Sequence, residues 1–374
     1  MQWCRRCVYN SMIPNISFDS NGVCNYCKIH DEMEKQYPVG IEGERILKKI
    51  ADDAKKAGRN SKYDCVIGVS GGCDSSFLLY KAKQLGLRVL AVHFDNTWNS
   101  KISMDNLNRI VNKLDVDLYI YTVDEDEWDD LALSFLKASV PEIDALSDIA
   151  LVTTLYTAAE KYNVKYIFDA HSFRTEGFTP LGWFYFDGKY IEDIHKKFGK
   201  IKMKTFPNLW ITKWMRWMLS GFKRMRPLYY VDYDKKKVME FLNKEFGWQW
   251  YGGHHMENKY TLFCDYYLLP YKFNIDLRYV EFSALIRSGY MSREEALKEL
   301  EKPPICDDEI INEVKKRLNL SDKDFDEIMN APKRSFRDYK TYLPTFRKLR
   351  PFFWLMYKLD RVPKTFYIKY CKKG

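Results

Sequence analysis

The sequence predicts an α/β protein: a parallel, doubly wound sheet with a four-cysteine ribbon in front of it and a mostly helical C-terminal region behind. Three observations predict this. Two CxxC pairs open the chain, apolar strand-like runs alternate with helix-like stretches from about residue 63 to residue 169, and a Gly-Gly turn follows the first of those runs. With 374 residues, 46% hydrophobic and 16% aromatic, the chain can bury more than one core, and two or three domains are expected.

The ribbon comes first. Cys4-x2-Cys7 and Cys24-x2-Cys27 stand sixteen residues apart, the spacing of a four-thiolate zinc site, and the turn formers Pro14, Asn15, Asp19, Asn21 and Gly22 lie between them. So short a segment cannot build its own apolar core, which favours a structural metal. Four sulfurs close the coordination sphere, leaving His30 a bystander and the ion without a catalytic position. The total of nine cysteines is odd, and the cysteines and charges at the start leave no apolar core for an export signal, so a cytoplasmic protein with reduced thiols is expected. The longest uncharged stretch, Cys7 to Phe18, is well short of the roughly 20 residues that cross a bilayer.

Next, an amphipathic helix is expected around Glu42 to Lys56, then a buried-type strand over Tyr63 to Val69. Further strands read at Leu87 to Phe94, Leu118 to Val123 and Lys165 to Asp169, with helices ending near Leu85 and spanning Ile102 to Leu114 and Ile149 to Tyr162. Strands separated by helices imply parallel pairing with right-handed crossovers. Ligands of such sheets sit at the carboxyl ends of the strands. There the first strand runs into Ser70-Gly71-Gly72-Cys73-Asp74-Ser75-Ser76. The glycines allow close backbone approach, and amide groups at the start of the next helix make an anion cradle suited to phosphate. This is neither a Walker loop nor a dinucleotide fingerprint, and no lysine stands where γ-phosphoryl transfer needs one. Cys73 reads as filler, because no histidine lies near it in sequence.

The run Ser70-Gly71-Gly72-x-Asp74-Ser75 resembles the PP-loop of the ATP pyrophosphatase superfamily, and hence a HUP/PP-loop type sheet. The resemblance implies cleavage of ATP between the α- and β-phosphates, with Ser70, Gly71, Gly72, Ser75 and Ser76 holding pyrophosphate and Asp74 helping to hold Mg²⁺. Adenine is then expected near Val69, His93 and Asp95.

From the ribbon to about Leu300 the chain is also similar to the N-acetyl sugar amidotransferases of bacterial surface-polysaccharide synthesis. The matching segments include Trp3-Cys4-x2-Cys7-Val8, Ala170-His171-Ser172-Phe173-Arg174-Thr175-Glu176-Gly177 and Tyr251-Gly252-Gly253-His254-His255-x-Glu257. They also include Leu269-Pro270-x-Lys272-Phe273-x-Ile275-Asp276 and Leu285-Ile286-Arg287-Ser288-Gly289-Tyr290. This resemblance implies conversion of a sugar acetamido group to an acetamidino group, in lipopolysaccharide O-antigen or another surface glycan, by adenylation of the amide oxygen and attack by ammonia. Asp74, His171, Arg174, Glu176, His254, His255 and Glu257 become the candidate catalytic residues, with Asp144 and Asp148 weaker ones. An Arg174–Glu176 ion pair is the plainer reading of those two residues. No cysteine sits in a nucleophile motif, and removal of Met1 would expose Gln2, so ammonia is expected from a separate glutaminase resembling the imidazole glycerol phosphate synthase subunits.

Charge is distributed unevenly. The chain carries 60 Lys and Arg against 51 Asp and Glu, a net +9. Residues 333–374 hold a net +11 and residues 194–231 a net +10, which leaves −12 for the rest. Trp210, Trp214, Trp217 and Met218 share one helical face beside Lys213 and Arg216, either an interfacial membrane helix or, the favoured reading, a face packed on the core. Anionic lipid at the inner membrane face, the diphosphate of a nucleotide-linked or lipid-linked sugar, and RNA all suit the basic segments, nucleic acid least. A tRNA-thiolating enzyme and a non-enzymatic nucleotide-regulated binder are the alternative functions. The expected organisation is a zinc ribbon over 1–30, an ATP-binding domain over 31–235, a substrate or partner region over 236–332 and a basic aromatic tail over 333–374.

Overall fold

The computed structural model describes residues 1–253, 256–359, 361–362 and 364–371. Helices α1 (Asn25–Gln36) and α2 (Gly40–Ala57) lead into the sheet. The elements β1 (Cys65–Gly68), α3 (Cys73–Gln84), β2 (Val89–Asp95), α4 (Lys101–Lys113) and β3 (Asp117–Thr122) follow. After α5 (Glu125–Ala138) and α6 (Ala145–Lys161) come β4 (Tyr166–Phe168), α7 (Gly188–Phe198), α8 (Ile211–Leu219), β5 (Lys223–Met225) and α9 (Lys235–Phe246).

The five strands are parallel, in the order β3-β2-β1-β4-β5. Side chains of β1 alternate between the two faces. Cys65 and Ile67 enter an apolar layer with Leu78, Leu79, Leu107, Ile110, Val238 and Leu242, from α3, α4 and α9. Val66 faces the other way, among Leu155, Ala158 and Trp217 from α6 and α8. Helices on both faces make the sheet doubly wound, as the sequence predicts. The four expected strands form within a few residues of their predicted bounds. The fifth, Lys-Arg-Met, has no apolar run to announce it and pairs with β4 at the sheet edge.

The chain continues through α10 (Lys259–Phe263), a π-helical stretch over Cys264–Phe273 that contains Pro270, α11 (Arg278–Arg287), α12 (Arg293–Glu301), α13 (Asp308–Arg317) and α14 (Asp322–Asn330). It ends with α15 (Leu343–Lys348), α16 (Arg350–Lys358) and α17 (Lys364–Phe366). One expected boundary falls inside an element. The division at 235/236 falls on the first turn of α9, whose Val238 and Leu242 belong to the layer beneath β1. The basic aromatic tail packs on the rest of the chain. Phe346, Phe353, Met356, Tyr367 and Tyr370 are buried in the largest core cluster, and Trp214 of α8 stacks on Phe353 at 5.5 Å and meets Phe366 edge-on at 4.6 Å. Trp214, Trp217 and Met218 of that face therefore turn inward, the favoured of its two readings, Trp217 against α6 and Trp214 against the other basic segment, while Trp210 is exposed.

Candidate functional site

At the carboxyl edge of the sheet, β1 ends in a loop whose backbone leaves no room for side chains. Gly71 has φ +80°, and a Cβ there would lie 2.0 Å from the Ser103 carbonyl oxygen. The Trp248 indole N–H donates to the Gly71 carbonyl at 2.9 Å and clamps the loop from the opposite side. A Cβ on Gly72 would crowd Ser70 Oγ, Tyr251 Oη and Glu257 Oε1, all within 3.3 Å. Gly72 is also the N-cap of α3, where no side chain caps the helix. The first turn of α3 puts its amides at the positive end of the helix dipole, where an anion is favoured. Such a cradle fits phosphate.

Around it stand carboxylates drawn from distant parts of the chain. Asp74 Oδ2 lies 3.3 Å from Lys235 Nζ, while Asp74 Oδ1 is buried and makes no hydrogen bond among the described residues. Glu257 Oε1 accepts from Ser70 Oγ at 3.3 Å. The Glu257 backbone carbonyl is fixed by the Ser100 N–H at 2.8 Å and the Ser103 hydroxyl at 3.0 Å. Burial opposes the charge on Lys235, but Asp74, Glu176 and Glu281 together raise its pKa and keep it an ammonium. Burial, Glu257 and Asp74 push the Tyr251 hydroxyl up, and burial, Asp74 and Cys73 do the same to Tyr233. Three carboxylates, Asp74, Glu176 and Glu281, act on one lysine, and Asp74 keeps a buried oxygen without a hydrogen bond among the described residues. An unsatisfied carboxylate oxygen is a donor that a hard cation such as Mg²⁺ takes, although among the described residues only the four ribbon cysteines bring three or more ligand atoms within 4.8 Å of one another. Cys73 is buried, sits 3.4 Å from Tyr233 Oη and has its thiol pushed up to about 12 by burial and by Asp74. It is no nucleophile at neutral pH.

His171 and Glu176 follow β4. His171 Nδ1 lies 2.9 Å from Tyr229 Oη and its Nε2 3.8 Å from Glu176 Oε2. Burial and Arg226 lower the imidazole to about 4, so it is neutral at pH 7. Asp169 is paired with Arg224 at 2.6 Å and Arg226 at 3.3 Å; burial would raise it, but the two guanidiniums hold it well below the usual carboxylate range. Arg174 is placed differently from expectation. Its guanidinium grips Glu34 of α1 at 2.8 and 3.1 Å and donates to the carbonyls of Tyr229 and Tyr37. It therefore ties α1 to the segment after β5 rather than pairing with Glu176.

His93 braces the loop from beneath. Its Nδ1 meets the Val69 carbonyl at 2.7 Å, and Asn99 bridges its Nε2 at 3.2 Å to Asp95 at 2.9 Å. Burial lowers its pKa and keeps the ring neutral. Both ring nitrogens are committed within the protein, so His93 orders the strand end where adenine is expected but has no free nitrogen to offer a base. Ser75 and Ser76 are buried in the first turn of α3. Asp144 accepts from Thr261, and Asp148 acts on Lys369, both in the joint between α6 and the C-terminal region. His254 and His255 lie outside the described residues. Lys235, Tyr233, Trp248 and Glu281 were not expected at the site. Lys235 is hidden at the head of the Lys235-Lys236-Lys237 run, which reads as solvated surface charge, and the others carry no motif.

The ribbon cysteines form a second centre. All four Sγ atoms lie within 4.8 Å of one another, with close approaches of 3.8 Å for Cys4–Cys27, 3.8 Å for Cys7–Cys24 and 3.6 Å for Cys24–Cys27. A tetrahedral ion with metal–sulfur bonds of about 2.3 Å separates its sulfurs by about 3.8 Å, so the cluster has the dimensions of a zinc ribbon. Arg287 of α11 donates from Nε to Cys27 Sγ and from Nη2 to Cys7 Sγ, each at 3.3 Å. It balances the negative charge of the thiolates and fastens the ribbon to the C-terminal region.

Sheet order, loop and carboxylates define a PP-loop nucleotide domain, the ATP-using class. Two family models match this chain: residues 64–162 match the queuosine biosynthesis protein QueC, and residues 257–350 match the C-terminal domain of LPS biosynthesis protein WbpG-like proteins. The first match lies over the sheet and its PP-loop, and the second over the C-terminal helices. An uncharacterized protein of Methanocaldococcus jannaschii is 25% identical over 329 residues, which are 84% of this chain and 98% of that protein. A probable mitochondrial tRNA-specific 2-thiouridylase of Caenorhabditis elegans is 29% identical over 160 residues, 38% of this chain and 41% of that one. Among solved structures, NMN synthetase from Francisella tularensis matches at TM-score 0.34 and 16% identity, covering 76% of this chain and 95% of its own. An NH3-dependent NAD synthetase from Campylobacter jejuni matches at TM-score 0.33 and 16% identity, with 78% and 98% covered. Among the described residues no helix is long and apolar enough to cross a membrane.

Proposed function

We propose that the protein is an ATP-dependent amidotransferase that converts the acetamido group of a sugar to an acetamidino group during surface-glycan synthesis. The observation that carries this reading is the position of Glu257. It opens the stretch matching the WbpG-like domain and its carboxylate lies 3.3 Å from Ser70 of the phosphate loop, which supports a site shared between that stretch and the loop.

In the proposed reaction the amide oxygen attacks the α-phosphorus of ATP and pyrophosphate leaves. Ammonia then adds to the imidate carbon, gives up a proton, and AMP departs with the former amide oxygen. The loop amides and Ser70 bind the departing pyrophosphate. Asp74, Glu176 and Glu257 hold Mg²⁺, which neutralises phosphate charge when bound. Lys235 is a fixed cation facing the same charge. His171, held neutral with Glu176 3.8 Å away, is an uncharged hydrogen-bonding group for the attacking ammonia. Zinc in the ribbon is structural. A separate glutaminase supplies the ammonia, and the basic segments meet the phosphates of the sugar carrier or of the inner membrane surface.

The test is to incubate purified protein with ATP, Mg²⁺, an ammonium salt and a panel of acetamido nucleotide-sugars. AMP, pyrophosphate and a slightly lighter sugar are expected together, and glutamine in place of ammonium should give none of them. Use of glutamine by the chain alone would remove the glutaminase from the scheme. A second reading, tRNA thiolation, is favoured by the 160-residue likeness to the thiouridylase. Pyrophosphate release driven by tRNA and by no acetamido sugar would establish it instead.

A further inference from the structure

A cleft of about 420 Å³ lies between the start of α7 and the segment leading into α15, within the basic segment over 333–374 and apart from the PP-loop residues. Its rim carries Lys189, Arg337, Lys340 and Arg347, and Phe336 and Tyr339 line it beside them. Four cations converge there.

The local carboxylates already have partners. Asp187 accepts from the backbone N–H groups of Tyr190 and Tyr342 at 2.7 Å each and from the Tyr185 hydroxyl. Asp193 accepts from the Lys340 backbone N–H at 3.0 Å and pairs with Lys197 at 2.9 Å. Asp338 folds back on the Ser335 N–H at 2.8 Å. These bonds staple the 335–342 segment onto α7; the Asp193 carboxylate also acts on Lys340, while Lys189, Arg337 and Arg347 have no ion pair among the described residues. The aromatic wall is rigid as well. Phe336 stacks on buried Tyr185 at 4.5 Å, and the Tyr339 hydroxyl donates to the Ala138 carbonyl at 2.8 Å. Arg337, Lys340 and Arg347 are exposed, and together with Lys189 they line one concave space whose wall these contacts order. Its volume is within the range of small-ligand sites.

We propose that this cleft binds a phosphate-bearing group, a phosphate ester or diphosphate, at a site separate from the PP-loop. Two guanidiniums and two ammoniums give both bidentate and point-charge recognition of phosphate oxygens. The ring of Phe336 offers a flat surface to whatever the phosphate carries. The inference needs only the cleft and holds whatever the reaction at the PP-loop proves to be.

The experiment compares the wild-type chain, Asp74→Asn and the triple variant Arg337→Ala/Lys340→Ala/Arg347→Ala, whose side chains are exposed and make no fold-specific hydrogen bond. Uridine diphosphate binding is followed by calorimetry, with hydrogen exchange over 336–347 to locate it, and vesicles containing phosphatidylglycerol are tested by co-sedimentation. Wild type and Asp74→Asn should bind equally, and the triple variant at least tenfold more weakly with unchanged melting temperature. A loss confined to uridine diphosphate identifies a soluble diphosphate as the ligand, and a loss confined to vesicles identifies a lipid headgroup. If the triple variant binds both as wild type does, or wild type binds neither, the proposal is overturned.

Discussion

At the scale of single residues, the loop after β1 is the part of the site most legible in the sequence, because its constraint is steric. Gly71 combines φ +80° with a Cβ position 2.0 Å from backbone, so Gly71→Ala meets both a left-handed penalty and a clash that no rotamer relieves. A loss of about 3 kcal/mol or more is expected in chemical denaturation. Gly40→Ala is the control, since φ there is +68° but the space is open, and it should cost about 1–2 kcal/mol. Equal losses would mean that the loop moves to accommodate a side chain. His171 was legible as a site residue but not in its charge state, which depends on Arg226 and on burial, both set by the fold. Its folded pKa of about 4 lies below the unfolded value near 6.5, so the unfolded chain takes up the proton first as pH falls. Stability from this group is therefore full above about pH 6.5 and is lost between there and pH 4. His171→Gln should flatten the difference in melting temperature between pH 7.5 and pH 5; an unchanged difference would place the titrating group elsewhere. Lys235 and Arg174 show why other roles were hidden. One lies in a run of three lysines, and the other has its partner 140 positions away in Glu34.

At the scale of elements, α8 and the tail each read as basic and aromatic, and either could pass for a surface helix seeking a membrane. Periodicity identifies an apolar face but not what covers it. The cover is α16 and α17, more than 130 residues later in the chain, through Trp214 with Phe353 and Phe366. Trp214→Ala should therefore destabilise the fold by about 3 kcal/mol through lost packing. If the tail instead left α8 on contact with lipid, the variant would cost little stability and weaken vesicle binding. The ribbon is the opposite case, legible from cysteine spacing alone because the ion needs four ligands and nothing else nearby. What spacing did not disclose is Arg287, which reaches two of the sulfurs from α11. Removing the metal leaves four thiol groups around a buried guanidinium. Chelation should thus lower the melting temperature and raise hydrogen exchange in α11 as well as in residues 1–30, with a single zinc per chain measured beforehand. Exchange confined to residues 1–30 would show that the ribbon is not mechanically joined to the C-terminal region.

At the scale of the whole molecule, the candidate site belongs to neither half of the chain. Asp74 comes from the first turn after β1 and Glu257 from the start of the WbpG-like stretch. Strand order explains the first position, but nothing local to residues 251–258 foretells that a bond from Ser100 to the Glu257 carbonyl docks this segment on the loop before α4. If Asp74 and Glu257 hold one Mg²⁺ between them, each single removal already breaks the coordination. Asp74→Asn and Glu257→Gln should each raise the Mg²⁺ concentration for half-maximal pyrophosphate release by roughly tenfold or more, with kcat reduced. The double variant should then be little worse than the worse single, because groups that act as a unit lose their effect together. Additive losses would mean two independent roles: Asp74 at the metal, and Glu257 as an acceptor for Ser70 that shapes the loop. The cycle therefore decides whether the C-terminal domain completes the nucleotide site or only covers it.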